Sequence, residues 1–371
     1  MISFITTFIP NPRLNKRIAI AKKHSPVSAI CIDRSDNHLF SPAFDDITYR
    51  FFTCNVYTSK HFIKRTFQTI SFYLYAAKEI RKLNPSVLYV QGLDCLFFAV
   101  LFSCFSHKKI IYEVSDIREC MLSDRKTFLC VVLSQLEKQF LKRVLLLVLT
   151  SNKFYDAYYQ NKISMDKVLV IPNTPDLSVF SNYKKTQHEH FTIGFIGGIR
   201  YLAQLKLLVD AAKDLDIHIL FAGGSFVSED EIKLKEYCEN RQNISFWGRF
   251  EYNKEIAQLY EKVDCIYSVY DADNFNCKIA LPNKLYESVY CELPIIVAKG
   301  TYLSSIVEKY QIGASVSHVD ESDLREFLDK MVHDKSFYLS LTDNCKKYKD
   351  EILQSNIYSV FENKITSILN N

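Results

Sequence analysis

With 371 residues, 48% of them hydrophobic and 24% charged, the chain is too long for one ordinary core and is sized for two domains, each able to bury a proper interior. No stretch is of low complexity, and the longest apolar runs, Cys95 to Phe105 and Val144 to Thr150, fall well short of a membrane span. The net charge of +4 is unevenly divided: residues 1–190 hold 26 Lys and Arg against 15 Asp and Glu, while residues 191–371 hold 20 against 27. The basic first half suits anionic lipid headgroups or a phosphate-bearing acceptor, where each Lys or Arg near the surface contributes about 1 kcal/mol. A solvated basic surface without a partner is the equal alternative, and no feature points to nucleic acid.

The N-terminus, MISFITTFIPNPRLNKR, starts apolar but meets Pro10 and Pro12 at once and lacks the basic leader and cleavage site of a signal peptide. The eleven cysteines are scattered singly, with no CxxC pair, and are expected as small buried apolar residues of a reducing compartment. Together these features predict a cytoplasmic protein.

Apolar strand-like runs then alternate with helical patterns, the signature of parallel α/β units. The first half predicts strands at Ile2 to Phe8, Val27 to Ile32, Tyr49 to Cys54, Val87 to Gln91, Ile110 to Val114, Leu145 to Thr150 and Val168 to Ile171. Helices are expected at Leu14 to Lys23, Phe67 to Leu83 and Phe128 to Arg143. The polar run Ser181 to His190 has no periodicity and reads as a linker, with His188 and His190 solvated within it. A second alternation predicts strands at Thr192 to Ile196, Ile217 to Ala222, Ile244 to Trp247, Cys265 to Val269, Ile295 to Ala298 and Ala314 to Val316. Helices are expected from near Leu202, Glu229, Lys254, Pro282, Leu303 and Glu321. The division is residues 1–180, a linker at 181–190, residues 191–350, and a C-terminal helix within 351–371 that is expected to pack back across both domains. Two doubly wound sheets would face each other across a cleft, with the carboxyl ends of their strands opening into it.

Two segments carry chemistry. In FTIGFIGGIRYLAQLK a strand delivers the chain into Gly197 and Gly198 before a helix, so backbone N–H groups face a turn where a phosphate can approach, with Arg200 and Lys206 beside it. Alone, this is equally a tight turn with two solvated cations. The GxGxxG spacing of a dinucleotide-binding loop is not met, and the next strand ends in Gly223 and Gly224 rather than in an acid for ribose hydroxyls.

In ALPNKLYESVYCELPIIV, Pro282 fits a first helical position, and Lys284 and Glu287 share one face. A pyrophosphate there would meet the helix's positive end and Lys284, while Glu287 would accept hydrogen bonds from two vicinal ribose hydroxyls. An ordinary surface ion pair is the alternative.

These segments, with IHILFAGG, ISFWGRFEYNKEIAQLYEKVDCIYSVY and LPNKLYESVYCELPIIVAKG, resemble in order and spacing the C-terminal domain of GT-B fold glycosyltransferases of the large retaining family 4. NPRLNKRIAIAKK, PSVLYVQGLDCL, KKIIYEVSDIRE and VLVIPNTPD are similar to pieces of that family's first domain, so the resemblance spans nearly the whole chain. It implies two Rossmann-like domains and transfer of a sugar from a nucleoside-diphosphate sugar to a glycan or lipid-linked glycan acceptor of surface-polysaccharide assembly. No metal or cofactor is expected, since Asp271-Ala272-Asp273 reads as a polar loop and the nucleoside-diphosphate sugar is a substrate. By the same resemblance, Gly197, Gly198, Arg200 and Lys206 would cradle the diphosphate, with Arg200 and Lys206 opposing the leaving-group charge. Arg249 and Phe250 would flank the base, Asn283 and Lys284 would contact phosphate or sugar, and Glu287 would hold the ribose.

Two positions depart from the family pattern. An earlier glutamate is replaced by Ile279, although Asp271, Asp273 and Asn274 lie in the preceding loop, and a histidine before Asp116 is replaced by Ser115. Asp116 is either the group that takes the acceptor's proton or a cap for a helix from Ile117 onward. Arg13 and Asp94 follow strands of the first half and would reach the acceptor side, or serve as solvated loop charges. Asp271-Ala272-Asp273 matches a DxD metal signature but reads as a polar loop. The apolar and basic mixture at Phe128 to Arg143 resembles helices that touch membranes, which would put the protein at the inner face of the cell membrane. Two further readings stay open: a nucleotide-sugar epimerase of the same fold, and a non-catalytic partner subunit.

Overall fold

The computed structural model describes residues 1–34, 41–54, 62–122, 127–224, 229–353 and 357–370. Two compact units make up the chain, Met1–Pro172 with Asn356–Asn371, and Asn173–Ser355.

The first unit holds a seven-stranded sheet of β1 (Ile2–Thr6), β2 (Val27–Asp33), β3 (Thr48–Thr53), β4 (Val87–Gln91), β5 (Lys109–Val114), β6 (Val144–Leu149) and β7 (Val168–Val170). All neighbours are parallel, in the order β3-β2-β1-β4-β5-β6-β7. Strands covered by helices on both faces read as continuous apolar runs, which is why β1 and β4 are buried along their whole length. The order reverses between β1 and β4, so the segments after their carboxyl ends border a crevice.

Helix Pro12–Ala21 and the C-terminal helix Ile357–Asn370 share a core with this sheet, where Leu14, Ile18, Phe361 and Ile365 are buried. Helices Phe62–Leu83, Leu93–Ser106 and Phe128–Leu141 form the crossovers from β3 to β4, β4 to β5 and β5 to β6. The run Cys95 to Phe105, notable in the sequence for being too short to span a bilayer, is the middle one of these. Among the described residues no helix is long and apolar enough to cross a membrane.

The second unit holds a parallel six-stranded sheet in the order β10-β9-β8-β11-β12-β13. Its strands are β8 (Phe191–Ile196), β9 (Ile217–Ala222), β10 (Ile244–Gly248), β11 (Cys265–Ser268), β12 (Ile295–Ala298) and β13 (Gly313–Val316). The reversal lies between β8 and β11, one core on each face.

The structure redraws the expected boundaries. The chain passes into the second unit at Asn173, and Phe180 is buried there with Tyr260 and Tyr290 at 5.4 and 5.6 Å. The expected linker is therefore part of the second unit: the Tyr183 hydroxyl donates to the Cys291 carbonyl at 3.0 Å, and His188, expected in solvent, pairs with Asp264 at 3.0 Å. The C-terminal stretch is two helices rather than one laid across both domains. Lys349–Leu353 buries Ile352 and Leu353 in the second unit, while Ile357–Asn370 buries Phe361 and Ile365 in the first.

Candidate functional site

In the first unit, the three candidates Arg13, Asp94 and Asp116 line one cavity of about 390 Å3 at the carboxyl ends of β1, β4 and β5, together with Asn11, Gln91 and Ser115. Each arrives from a different strand. Arg13 begins helix Pro12–Ala21, whose cap is Asn11 accepting from the Leu14 N–H at 2.9 Å. Asp94 opens the helix after β4, 3.5 Å from Arg118.

Asp116 is exposed, and the helix that follows runs Glu119–Leu122. Asp116 thus caps no helix from Ile117 onward, because residues 115–118 stay non-helical. Ser115 stands where the resemblance led to a histidine. Its Oγ accepts from Arg13 at 2.7 Å and from Gln91 Nε2 at 2.6 Å, which occupies its lone pairs and leaves its own proton to donate.

Beneath this cavity lies a charge cluster that sequence reasoning missed. Arg17 and Glu113 are both fully buried, 3.6 Å apart, with Arg13 Nε also 3.6 Å from Glu113 and Tyr89 donating to the same carboxylate. Burial disfavours the Arg17 charge, yet Glu113 and the neighbouring phenols outweigh it, so its pKa is raised. The rings of Tyr358 and Phe361 cover the guanidinium at 5.7 and 5.5 Å. Arg17 falls at a position that helical periodicity alone marks as inward, and that was the only available signal.

In the second unit, the glycine turn and the LPNKLYE helix meet. A Cβ on Gly197 would come within 2.6 Å of Lys284 Nζ, so the ammonium lies directly against the bare backbone of the turn after β8. Gly223, after β9, has φ +136°, and a Cβ there would fall 1.8 Å from the Gly197 carbonyl oxygen. Only glycine permits that approach. Arg200 packs beside Gly198 at 3.5 Å and Arg249 beside Gly224 at 2.8 Å, both measured to an ideal Cβ. Three cations from three separate segments therefore lie at adjoining glycine turns at the carboxyl edge of β8 and β9, with the Glu231 carboxylate also 3.0 Å from the Cβ position of Gly224, and bare backbone with cations beside it can receive an anion.

The turn is less bare than its sequence suggested. The Gly197 N–H donates to the Ala222 carbonyl at 2.8 Å, which leaves exposed Gly198 as the open side. Pro282 is the cap rather than the first helical residue, with Asn283–Tyr290 helical after it. Asn283 Oδ1 is buried and finds no hydrogen-bond partner among the described residues.

Lys206 stands apart from this group. Gln204 and Leu205 face the interior, and one residue further the Lys206 ammonium lies over the Tyr237 ring at 4.3 Å. The predicted diphosphate contact would require that side chain to leave its ring.

Glu287 is buried, and its two oxygens accept from Tyr252 at 2.6 Å and Tyr260 at 2.7 Å. Burial first, and Glu287 next, push both phenols up, so they remain protonated donors. The two tyrosines are 35 and 27 residues away, and nothing local in the sequence ties them to Glu287. Phe250 packs partly buried against the same core, leaving Arg249 as the exposed member of that turn.

Asp271 accepts from the Asp273 N–H at 2.9 Å, the hydrogen bond of a polar turn, and Asn274 caps helix Phe275–Ile279. Ligand atoms of Asp271, Asp273 and His318 also lie within 4.8 Å of one another.

Residues 180–351 match the family model of glycosyl transferases group 1, a span that lies wholly within the second unit. No curated protein matches the chain. Among solved structures, HepE from Anabaena in complex with UDP is similar at a TM-score of 0.72 and 14% identity, with 99% of both chains covered. Sucrose-phosphate synthase from Thermosynechococcus elongatus is similar at 0.76 and 11%, covering 100% and 99%. WaaG, a glycosyltransferase involved in lipopolysaccharide biosynthesis, is similar at 0.69 and 12%, covering 99% and 100%. At these identities the shared property is the fold. Residues 180–351 thus match glycosyl transferases group 1, and the chain as a whole has the GT-B fold that these structures share.

Proposed function

We propose that this chain is a glycosyltransferase that takes its sugar from a nucleoside-diphosphate sugar and extends a lipid-linked or surface-polysaccharide precursor, with retention at the anomeric carbon. The observation that carries the donor class is the apposition of Lys284 to Gly197, with Arg200 and Arg249 around the neighbouring glycines. The similar HepE structures hold UDP and UDP-glucose, which makes these the first compounds to try. In this reading the bond from the anomeric carbon to the diphosphate breaks and the bond to the acceptor oxygen forms. The acceptor's proton passes to the departing phosphate oxygen, while Arg200 and Lys284 balance the charge left on it. Asp116, Asp94 and Arg13 line the first unit's cavity and would orient the acceptor. Buried Glu287 would use its remaining lone pairs for the ribose.

UDP at about one hundred times its dissociation constant is expected to stabilise the protein by about 2.7 kcal/mol in a thermal-shift measurement. No shift with UDP, GDP, ADP or their sugars would remove the donor assignment. Incubation with UDP-glucose alone separates transfer from epimerisation, which would isomerise the sugar without any acceptor.

Transfer is further expected to proceed without a divalent cation, since three side-chain cations are already gathered at the glycine turns. Treatment with EDTA followed by gel filtration should leave UDP binding and donor turnover unchanged. A loss restored by Mg2+ or Mn2+ would instead give Asp271, Asp273 and His318 a metal role. A cytoplasmic enzyme at the inner membrane face fits a lipid-linked acceptor and the basic first half of the chain.

A further inference from the structure

Gln91, the last residue of β4, is 7% exposed and lines the cavity of the first unit. Its amide is only half satisfied. Nε2 donates to Ser115 Oγ at 2.6 Å, while Oε1 is buried and finds no hydrogen-bond partner among the described residues. A carbonyl oxygen taken from water without a donor is a penalty the folded chain already carries, and a ligand group that donates to it removes that penalty.

Ser115 is the counterpart. With both lone pairs of Oγ taken, by Arg13 at 2.7 Å and Gln91 at 2.6 Å, its own proton has to go to some other acceptor. The arrangement is held from behind: Arg13 Nε is 3.6 Å from buried Glu113, and the Ser115 carbonyl accepts from the Thr150 hydroxyl at 3.3 Å. An acceptor without a donor and a donor without an acceptor therefore stand on two side chains that are bonded to each other. A hydroxyl group answers both at once, donating to Gln91 Oε1 and accepting from Ser115 Oγ, and two vicinal hydroxyls can divide the work. An ionised phosphate ester or carboxylate only accepts, so it would leave Oε1 facing negative charge.

The charges of the cavity point the same way. Both of its arginines already face a carboxylate, Arg13 that of Glu113 and Arg118 that of Asp94 at 3.5 Å. Together with the groups directly behind the wall, Arg13, Arg17, Arg118 and Lys162 stand against Glu113, Glu137, Asp94 and Asp116, which leaves no cation in excess for an anion. Tyr112 and Tyr159 also line the cavity, and their phenols donate to Glu137 at 3.4 and 3.1 Å, so this wall too is fixed by internal bonds. About 390 Å3 is near the lower end of the roughly 300–1,000 Å3 of small-molecule pockets, the scale of one ring rather than a chain of them.

We propose that Gln91 and Ser115 are specificity-determining residues that together read a hydroxyl of an uncharged sugar ring, and that this ring, not a phosphate, is the part of the acceptor that enters the cavity. The pair exists because position 115 is a serine, where the family pattern has a histidine. The proposal rests on the reading of this cavity as the acceptor's. Its test uses no nucleotide, so it can fail while UDP binding to the second unit stands, and it can succeed in a chain that binds no UDP.

The experiment is saturation-transfer difference NMR on the full-length protein with the methyl glycosides of glucose, galactose, mannose and N-acetylglucosamine, and with geranyl phosphate and inorganic phosphate as the charged probes. At least one methyl glycoside should bind, and neither phosphate should displace it. Among the monodeoxy analogues of that glycoside, removal of one particular hydroxyl should weaken binding tenfold or more, because it leaves Gln91 and Ser115 unpaired again. Gln91→Met and Ser115→Ala should each weaken the parent glycoside by a similar factor and bind it no better than that deoxy analogue, a loss of discrimination that a merely structural role would not produce. Far-UV circular dichroism melts check the fold of both variants, and the deoxy series on the wild type stands without them. Binding of no glycoside, displacement by either phosphate, equal binding of every deoxy analogue, or a folded Gln91→Met protein that still discriminates would each overturn the proposal.

Discussion

Arg17→Met is expected to destabilise the first unit by about 3–5 kcal/mol, the cost of removing one partner from a buried ion pair. The change keeps side-chain volume under the Phe361 and Tyr358 rings but strands the Glu113 carboxylate, which is fully buried with Tyr89 as its remaining hydrogen-bond donor and Arg13 3.6 Å away. Neutralising both partners, as Arg17→Met with Glu113→Gln, should recover most of the loss, because a buried pair replaced as a pair is often near neutral. The readout has to report on the correct unit. The single tryptophan, Trp247, belongs to the second, so urea unfolding is better followed by hydrogen exchange of β1, β4 and β5. A single variant within about 1 kcal/mol of wild type would mean that the cluster is hydrated or neutral rather than a buried ion pair. Since Arg17 bridges the sheet and the C-terminal helix, the same variant should also loosen Ile357–Asn370.

Arg200→Ala is expected to weaken UDP binding tenfold or more in calorimetry, about 1.4 kcal/mol, and to slow sugar transfer by 100-fold or more, on the order of what a preorganised donor to a developing charge contributes. Arg200 is exposed, so its removal leaves packing intact and the loss can be read as lost binding. Lys206→Ala makes the contrast. Its ammonium is on the Tyr237 ring, so UDP affinity should stay close to wild type. Equal losses in both variants would show that Lys206 swings to the diphosphate after all, while an unaffected Arg200→Ala protein would end the proposed role of Arg200. Glu287→Ala is a poorer first test. It leaves two buried phenols without their acceptor, which costs stability before any donor is involved.

Read in isolation, the residues carry the strand pattern of both sheets. Parallel strands covered on both faces must be apolar along their length, and runs such as Val87 to Gln91 and Ile217 to Ala222 have few other uses. The glycines at 197, 198, 223 and 224 were legible for a similar reason, since each follows such a run directly and a turn there needs bare backbone. LPNKLYE was legible as a helix start with a cation and an acid on one face.

What no local pattern contains is which distant segments meet. Lys284 reaches Gly197 because β11 pairs beside β8, which brings the segments that follow them to one edge. Glu287 was readable as a carboxylate with a task, but its burial and its two tyrosines come from the helix Tyr252–Glu261 packed over it. Periodicity marks Arg17 as inward, but nothing along the chain ties it to Glu113 until β1 and β4 set helix Pro12–Ala21 against the end of β5. The sequence determined the strands, the turns and the family they resemble, because those follow from neighbours along the chain. Only the tertiary structure decided which charges are buried together, which lysine faces the glycine turns and which donors reach Ser115, because those depend on the order of strands in the sheet.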